Sequence, residues 1–245
     1  MARPGQQELP FRRWGGKRKG AGRPPNGSAA GVSHLRRPAL SHRHPVHVTL
    51  RVIAGLPSLR DGRLFRKVRG ALAQAQERFG FRLVHFSVQS NHLHLIAEAR
   101  DRRALSSGLQ GLCVRVARAA NRVLDRRGRL FADRYHARAL KTPRALHFAL
   151  RYVLLNVRKH AAAGSAFPAP GSVPPGFVDS RSSAAWFDGF SRPQELAFGA
   201  ERIRAEWRAR SDLEAPVARG KTWLLLHGSR RYGGFDVDDV PGSAV

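Results

Sequence analysis

Two histidines separated by one residue are the first side chains in this sequence that could bind a metal ion. Within the stretch 90–98 the apolar residues at 93, 95 and 97 alternate with His92 and His94. Successive side chains of a strand point to opposite faces, so the alternation predicts a strand that carries both imidazoles on one face. Such a pair supplies half of a metal site. Because a His-x-His pair also occurs as ordinary surface histidines, its meaning depends on other residues.

A tyrosine and an amide follow one helical turn apart, later in the chain. A helix is predicted from Thr142, as its N-cap, to about His160, on an apolar stripe of Leu146, Leu150, Val153 and Val157. Tyr152 and Asn156 are four residues apart on one flank of that stripe, so their side chains stack. A tyrosine at the edge of an apolar stripe is ordinarily a packing residue. Beside a His-x-His strand, Tyr152 becomes a candidate nucleophile and Asn156 a candidate third ligand.

This combination of residues suits chemistry on a phosphodiester. A phenol is a weak nucleophile at neutral pH, and the charge of a phosphodiester repels attack. A divalent cation on the scissile phosphate would offset that charge. Two imidazoles and an amide oxygen suit Mg²⁺ or Mn²⁺ in an open site better than a closed structural zinc. A covalent phosphotyrosine would keep the bond energy, so a 3′-hydroxyl could rejoin the strand without ATP.

The charge of the chain points to a polyanionic partner. Its 245 residues contain 44 Lys and Arg against 17 Asp and Glu, a net charge of +27. Phosphate neutralisation releases counterions and gives sequence-independent affinity, so nucleic acid is the first candidate. No apolar run is long enough to span a bilayer, and the single Cys113 excludes an internal disulfide. We therefore expect a cytoplasmic, nucleoid-associated protein with no membrane partner.

The elements that must position these residues follow from hydrophobic periodicity. Alternation predicts strands at 46–52, 84–88, 92–98 and 131–141, and helical spacing predicts helices at 64–79, 105–123 and 142–160. Val84, Phe86 and Val88 are predicted to face the core. The order is β-α-β-β-α-β plus one helix, so the predicted fold class is α+β, a ferredoxin-like sandwich with a four-stranded antiparallel sheet. Two helices would cover one sheet face and leave the opposite face free.

That free face is the predicted DNA platform of the core. It would display His92, His94, Arg51, Arg134, His136 and Arg138, and the last four are our candidate DNA contacts. Tyr135 competes with Tyr152 as a nucleophile, but its side of the alternating run favours packing.

The chain is predicted to have three parts. Residues 1–38 form a basic, Gly- and Pro-rich arm with no means to build a core, and its best DNA contacts are Lys17, Arg18, Lys19 and Arg23. A solubilising tail is an equally good interpretation of that arm. Residues 39–163 form the catalytic domain, and residues 164–245 form a linker and a C-terminal extension that packs on the core.

Several motifs resemble the HUH single-tyrosine transposases, and specifically the REP-associated tyrosine transposases of bacteria. The resemblance spans about Pro45 to His160. It is carried by His47-Val48-Thr49-Leu50-Arg51, Asn91-His92-Leu93-His94, Phe131-Ala132-Asp133-Arg134-Tyr135-His136 and Tyr152-Val153-Leu154-Leu155-Asn156. The family commonly has Pro after the Asn. Here Val157 stands in its place, which leaves the helix free to continue through His160.

The resemblance implies a ferredoxin-like nuclease that nicks single-stranded DNA beside a hairpin or palindromic repeat and can religate it. The product would be a 5′-phosphotyrosine and a free 3′-hydroxyl. By position, Tyr152 would be the nucleophile, His92 and His94 the metal ligands, and Asn156 the third ligand. The protein would act as a monomer or a homodimer.

Two rival functions use the same residues differently. A catalytically silent relative would bind nucleic acid through the basic face and arm. A metal-dependent hydrolytic nuclease would use water in place of Tyr152 and form no covalent adduct.

Overall fold

The computed structural model describes residues 38–162 and 173–242, all within one compact unit that spans 34–245. Its strands are β1 (Val46–Arg51), β2 (Glu77–Arg78), β3 (Phe81–Val88), β4 (His92–Ala99) and β5 (His136–Ala139). Its helices are α1 (Gly62–Ala73), α2 (Arg102–Val123), α3 (Pro143–Leu154), α4 (Asn156–Ala162), α5 (Pro193–Arg208) and the short α6 (Ser229–Arg231). No helix of the described residues is both long and apolar enough to cross a membrane.

The described strands form one antiparallel sheet in the order β2-β3-β4-β1-β5, and with the helices they make an α+β fold. The predicted chain order of the four longer strands is present, but the predicted strand count is wrong because β2 adds a fifth. The predicted first helix extended to Phe79, whereas α1 ends at Ala73. Phe79 and Gly80 both have positive φ, which makes a tight turn that folds Arg78 back onto Phe81. Phe79 is consequently 89% exposed.

One face of the sheet packs against α1 and α2. Leu83, Phe86 and Val88 of β3 belong to this first core. The alternating pattern predicted that Val84, and not Leu83, faces this core, and this prediction was wrong. The β3–β4 register shifts between Leu83 and His85, so a bulge at Val84 inserts one extra residue and reverses the faces before it.

The opposite face was predicted to be free, and it is covered over much of its area. Ile96 of β4 packs there in a second core with α3, α5 and residues between 178 and 237. The C-terminal residues also bond to the sheet: the amide of Ser183 donates to the carbonyl of Phe86 at 2.9 Å. Arg60 forms a two-pronged ion pair with the buried Asp179, at 2.9 and 3.0 Å. Ile96 lies on the same face as the two histidines, and its apolar side chain requires this cover.

The third predicted helix is interrupted. Thr142 caps α3 by accepting from the amide of Ala145, as predicted. Leu155 then leaves helical geometry with φ −107° and ψ 19°, and α4 starts at Asn156. The continuous helix to His160 was therefore wrong, and two helices, α3 and α4, take its place.

The last predicted strand is shorter than expected. It covers His136–Ala139 in place of 131–141, and Arg134 precedes it. Tyr135 packs against the first core, and its hydroxyl lies 3.0 Å from the hydroxyl of Ser106 on α2.

Candidate active site

The two histidines of β4 point their Nε2 atoms at each other. His92 and His94 occupy alternate positions on one face, and their Nε2 atoms are 2.9 Å apart. The Nδ1 atom of His92 is 2.8 Å from the side-chain oxygen of Asn91. That oxygen can only accept, so Nδ1 carries the proton and Nε2 of His92 presents a lone pair.

The second nitrogen of His94 is also held. Strand β1 pairs with β4 so that Thr49 is opposite His94. The Nδ1 atom of His94 lies 3.2 Å from the hydroxyl of Thr49 and 3.3 Å from Nε2 of His47. Two lone pairs at 2.9 Å repel one another, so the approach of the Nε2 atoms requires one proton between them or a cation bound by both.

Burial keeps these imidazoles uncharged at neutral pH. It lowers the pKa of His92 to about 4 and that of His94 to about 2, and the neighbouring histidines act in the same direction. Burial likewise lowers the pKa of His47 to about 4, helped by the charges of His136 and Arg138. Metal ligands must be unprotonated, so the pair is available to a cation at pH 7.

Tyr152 meets this histidine cluster from the last turn of α3. Its ring is edge-on to His94, with centroids 5.0 Å apart, and 6.0 Å from the ring of His47. The ammonium of Lys159 on α4 lies over the same ring, 4.6 Å from its centroid. No described residue makes a hydrogen bond to the phenol hydroxyl. The hydroxyl is therefore available to a substrate.

Asn156 is the most unusual polar side chain of the site. It is 1% exposed, and neither its Oδ1 nor its Nδ2 atom has a hydrogen-bond partner among the described residues. An unsatisfied buried amide costs about 1–3 kcal/mol, so such groups mark strain or an unfilled binding role. Asn156 and His160 are four residues apart on α4, and the His160 ring centroid lies 6.5 Å from that of His92. The amide thus lies on the face of α4 that meets the histidine pair.

These side chains fit a divalent metal. Two imidazole nitrogens and one amide oxygen leave coordination positions for phosphate oxygen and water, as Mg²⁺ and Mn²⁺ require. Among the described residues there is no group of three His, Cys, Asp or Glu that could hold a metal. A three-ligand metal site at this position therefore needs the amide of Asn156 in addition to the two histidines.

The predicted DNA contacts of the core lie partly around the site. Arg51 pairs with His92 across the sheet, and Arg138 and His136 of β5 are opposite His47 and Thr49. All three are exposed on the face that bears the histidines. Arg134 is exposed but lies before β5. Lys17, Arg18, Lys19 and Arg23 fall outside the described residues, and the DNA-binding role of all eight stays a prediction.

Three residues of the site were not predicted as functional. His47 shares its strand face with Thr49, so pairing β1 against β4 would have placed it beside His94. Lys159 follows Tyr152 by seven residues, which in a continuous helix is about 10 Å along the axis, so the spacing carries no signal of their contact. His160 follows Asn156 by four. The positions of these three residues in the site depend on the pairing of β1 with β4 and on the interruption of the helix at Leu155, and neither is visible in the sequence.

The chain is similar to known proteins at the level of solved structures only. No protein-family model matches the chain, and no curated protein matches it. Among solved structures, the chain is similar to a REP-associated tyrosine transposase bound to a REP hairpin, at 16% sequence identity and a TM-score of 0.44. That similarity covers 53% of this chain and 74% of the other. At this level, the similarity establishes neither the family nor the function of this protein.

Proposed function

We propose that this protein is a metal-dependent enzyme of DNA transposition that nicks and rejoins single-stranded or hairpin DNA, with Tyr152 as its nucleophile. The observation that carries the proposal is the edge contact of Tyr152 with His94, beside two Nε2 atoms 2.9 Å apart. The net charge of +27 supports a nucleic-acid substrate. The scaffold for this chemistry is the ferredoxin-like part of the sheet.

His92, His94 and Asn156 would hold Mg²⁺ or Mn²⁺. The ion would supply positive charge to the non-bridging oxygens of the scissile phosphate and orient the leaving oxygen. Asn91 and Thr49 hold the outer nitrogens of the two imidazoles, which fixes the direction of their lone pairs.

The group transfer proceeds at the phenol oxygen of Tyr152. This oxygen forms a bond to phosphorus while the bond between phosphorus and the 3′-oxygen breaks. The phenol proton passes to solvent, and the released 3′-oxygen takes a proton from solvent. The products are a 5′-phosphotyrosine and a 3′-hydroxyl. The same step in reverse, with a new 3′-hydroxyl, joins the strands.

Two further features of the site support this reaction. Lys159 holds a positive charge over the Tyr152 ring, close to the negative charge that develops on the reacting oxygens. Arg51, His136 and Arg138 line the exposed border of the same face, where they would bind the flanking phosphates.

A denaturing gel tests the proposal. Labelled single-stranded hairpin DNA is incubated with the protein and Mg²⁺ or Mn²⁺, and we expect a covalent protein–DNA band. Tyr152→Phe should abolish the band, whereas the matched Tyr135→Phe and Tyr232→Phe variants should keep it. Cleavage that persists in Tyr152→Phe would assign the activity to hydrolysis by water. Binding without cleavage by the wild type would leave a silent nucleic-acid binder.

A further inference from the structure

A cavity lies on the sheet face that bears the histidines, at the opposite end of β4 from them. Its volume is about 750 Å³, within the range of small-molecule sites. Its walls come from the segment before β1, the start of β3, the end of β4, the start of α3 and residues 221–224. Five separate parts of the chain thus converge on one concave surface.

The walls of this cavity are strongly cationic. Arg43, Arg100, Lys141 and Lys221 line it. The side chains of Arg43 and Lys141 make no hydrogen bond or ion pair within the described part of the chain. Pro143, at the start of the twelve-residue α3, also lines the cavity, so the positive end of that helix faces it.

The carboxylate in the wall is already neutralised. Glu98 is buried, pairs with Arg82 at 2.6 Å and accepts from the amides of Lys221 and Thr222 at 2.6 to 3.0 Å. It anchors the 221–222 segment rather than opposing an anion. The remaining charge of the cavity therefore favours a negatively charged ligand.

An aromatic ring completes the wall. Trp223 is 50% exposed, and the guanidinium of Arg231 lies over its ring, 5.3 Å from the centroid. Exposed indole rings next to cations are typical surfaces for base stacking, because every base has a π-face. A phosphate on the cations and a base on Trp223 together describe a nucleotide.

The cavity and the active site lie at opposite ends of the same face of β4, and the second core covers Ile96 between them. His92, His94, Ile96 and Glu98 follow one another on the same face of β4, and His94 and Arg100 are six residues apart, about 20 Å of extended chain. Helix α3 starts at the cavity with Pro143 and ends at the site with Tyr152, a rise of about 14 Å.

We infer that this cavity binds one nucleotide of the DNA strand that is cut at Tyr152, with the phosphate on Arg43 and Lys141 and the base on Trp223. The assignment to DNA rests on the proposed function, whereas the nucleotide chemistry follows from the cavity itself. The bound nucleotide would lie a few positions away from the scissile phosphate and would fix the register of the strand.

Cross-linking in the absence of cleavage tests this inference. Full-length protein with Tyr152→Phe, in EDTA, is irradiated with short single-stranded oligo-deoxythymidine that carries one 5-iododeoxyuridine, and the adducts are mapped by mass spectrometry. We expect a cross-link on Trp223. Trp223→Ala should weaken binding roughly tenfold, and Trp223→Phe should restore most of the affinity.

Matched controls separate stacking from charge. Lys141→Ala should weaken binding more than Arg118→Ala, which removes the same charge from the exposed face of α2. An oligonucleotide with abasic sites should bind the wild type and Trp223→Ala equally. Equal binding of oligo-deoxythymidine by wild type and Trp223→Ala, or no cross-link at Trp223, would overturn the inference. Cross-linking by free iododeoxyuridine monophosphate without any by the oligonucleotide would also overturn it, by assigning the cavity to a free nucleotide.

The result is independent of the nicking reaction. Covalent adducts in the wild type together with an unaffected Trp223→Ala would remove this inference and keep the proposed function. A cross-link at Trp223 without adducts in the wild type would keep the nucleotide site and remove the proposed function.

Discussion

The ring of Tyr152 meets the imidazole of His94 edge-on, with centroids 5.0 Å apart, although 57 residues separate them in sequence. The second core fixes this relationship. Ile96, two positions after His94 on the same strand face, and Val153, next to Tyr152, are both fully buried in it. Close-packed interiors allow little relative movement, so α3 and β4 hold the phenol and the imidazoles in a defined geometry.

Asn156 gives the first prediction. Replacing it by Leu should stabilise the metal-free protein by about 1–3 kcal/mol, because the variant removes a buried amide that has no partner among the described residues. The same variant should lose the rise in melting temperature that Mn²⁺ gives the wild type. Calorimetry with and without Mn²⁺ measures both effects. A metal-free variant that is less stable, or one that keeps the Mn²⁺ shift, would show that the amide has another role.

Asn91 should act on the metal through His92. The side-chain oxygen of Asn91 accepts a hydrogen bond from Nδ1–H of His92 at 2.8 Å, and this bond holds the Nε2 lone pair toward His94. Asn91→Ala should weaken Mn²⁺ binding by roughly 10- to 100-fold, the usual effect of losing such a partner. Isothermal titration measures the affinity. The control is Asn121→Ala, whose amide serves Arg126 and Gly128 far from the site. Equal affinities in the two variants would contradict this role of Asn91.

A buried ion pair is one of the contacts that attach the C-terminal residues to the rest of the fold. Asp179→Ala removes the buried carboxylate that pairs with the Arg60 guanidinium, and we expect a loss of about 3–5 kcal/mol in the free energy of unfolding. Asp188→Ala removes an ion pair with Arg230 that is exposed on both sides, and it should cost less than about 1 kcal/mol. Urea denaturation compares the two. Equal losses in the two variants would show that burial gives the Arg60–Asp179 pair no special weight.

His85 should make stability depend on pH. Burial lowers its pKa to about 4 in the folded protein, against about 6.5 in the unfolded chain. The unfolded state therefore binds the proton first, so stability is fully present above about pH 6.5 and is lost as the pH falls toward about 4. His85→Gln cannot take up this proton. The decrease in unfolding free energy from about pH 7 to about pH 5 should be smaller in the variant than in the wild type. Identical pH slopes would rule out this contribution of His85.

Strict alternation made much of the sheet predictable from the sequence. β1 and β4 each keep period two without interruption, so Arg51, His92 and His94 were placed on one face correctly. The order of the longer strands followed from the same patterns. The prediction from period two fails at Val84, because nothing in an apolar run of sequence indicates where a bulge lies. Every β3 side chain before the bulge lies on the face opposite to the predicted one.

The remaining errors arise from tertiary packing. Leu155 is an ordinary helix former, yet the chain leaves helical geometry there, and His160 of α4 comes within 6.5 Å of the His92 ring. Ser183 and Asp179 carry no local signal for burial, but their hydrogen bonds to β3 and Arg60 attach the C-terminal residues to the sheet face that was expected to be free. Such contacts depend on residues distant in sequence, and a single sequence does not reveal them.

The identity of the residue that carries DNA tests the central claim most directly. After reaction with hairpin DNA and Mn²⁺, the covalent product is digested with nuclease and trypsin, and the modified peptide is sequenced by mass spectrometry. We predict a 5′-phosphoryl nucleotide on the oxygen of Tyr152. A nucleotide on Tyr135 or Tyr232, or cleaved DNA with no modified tyrosine, would contradict the account.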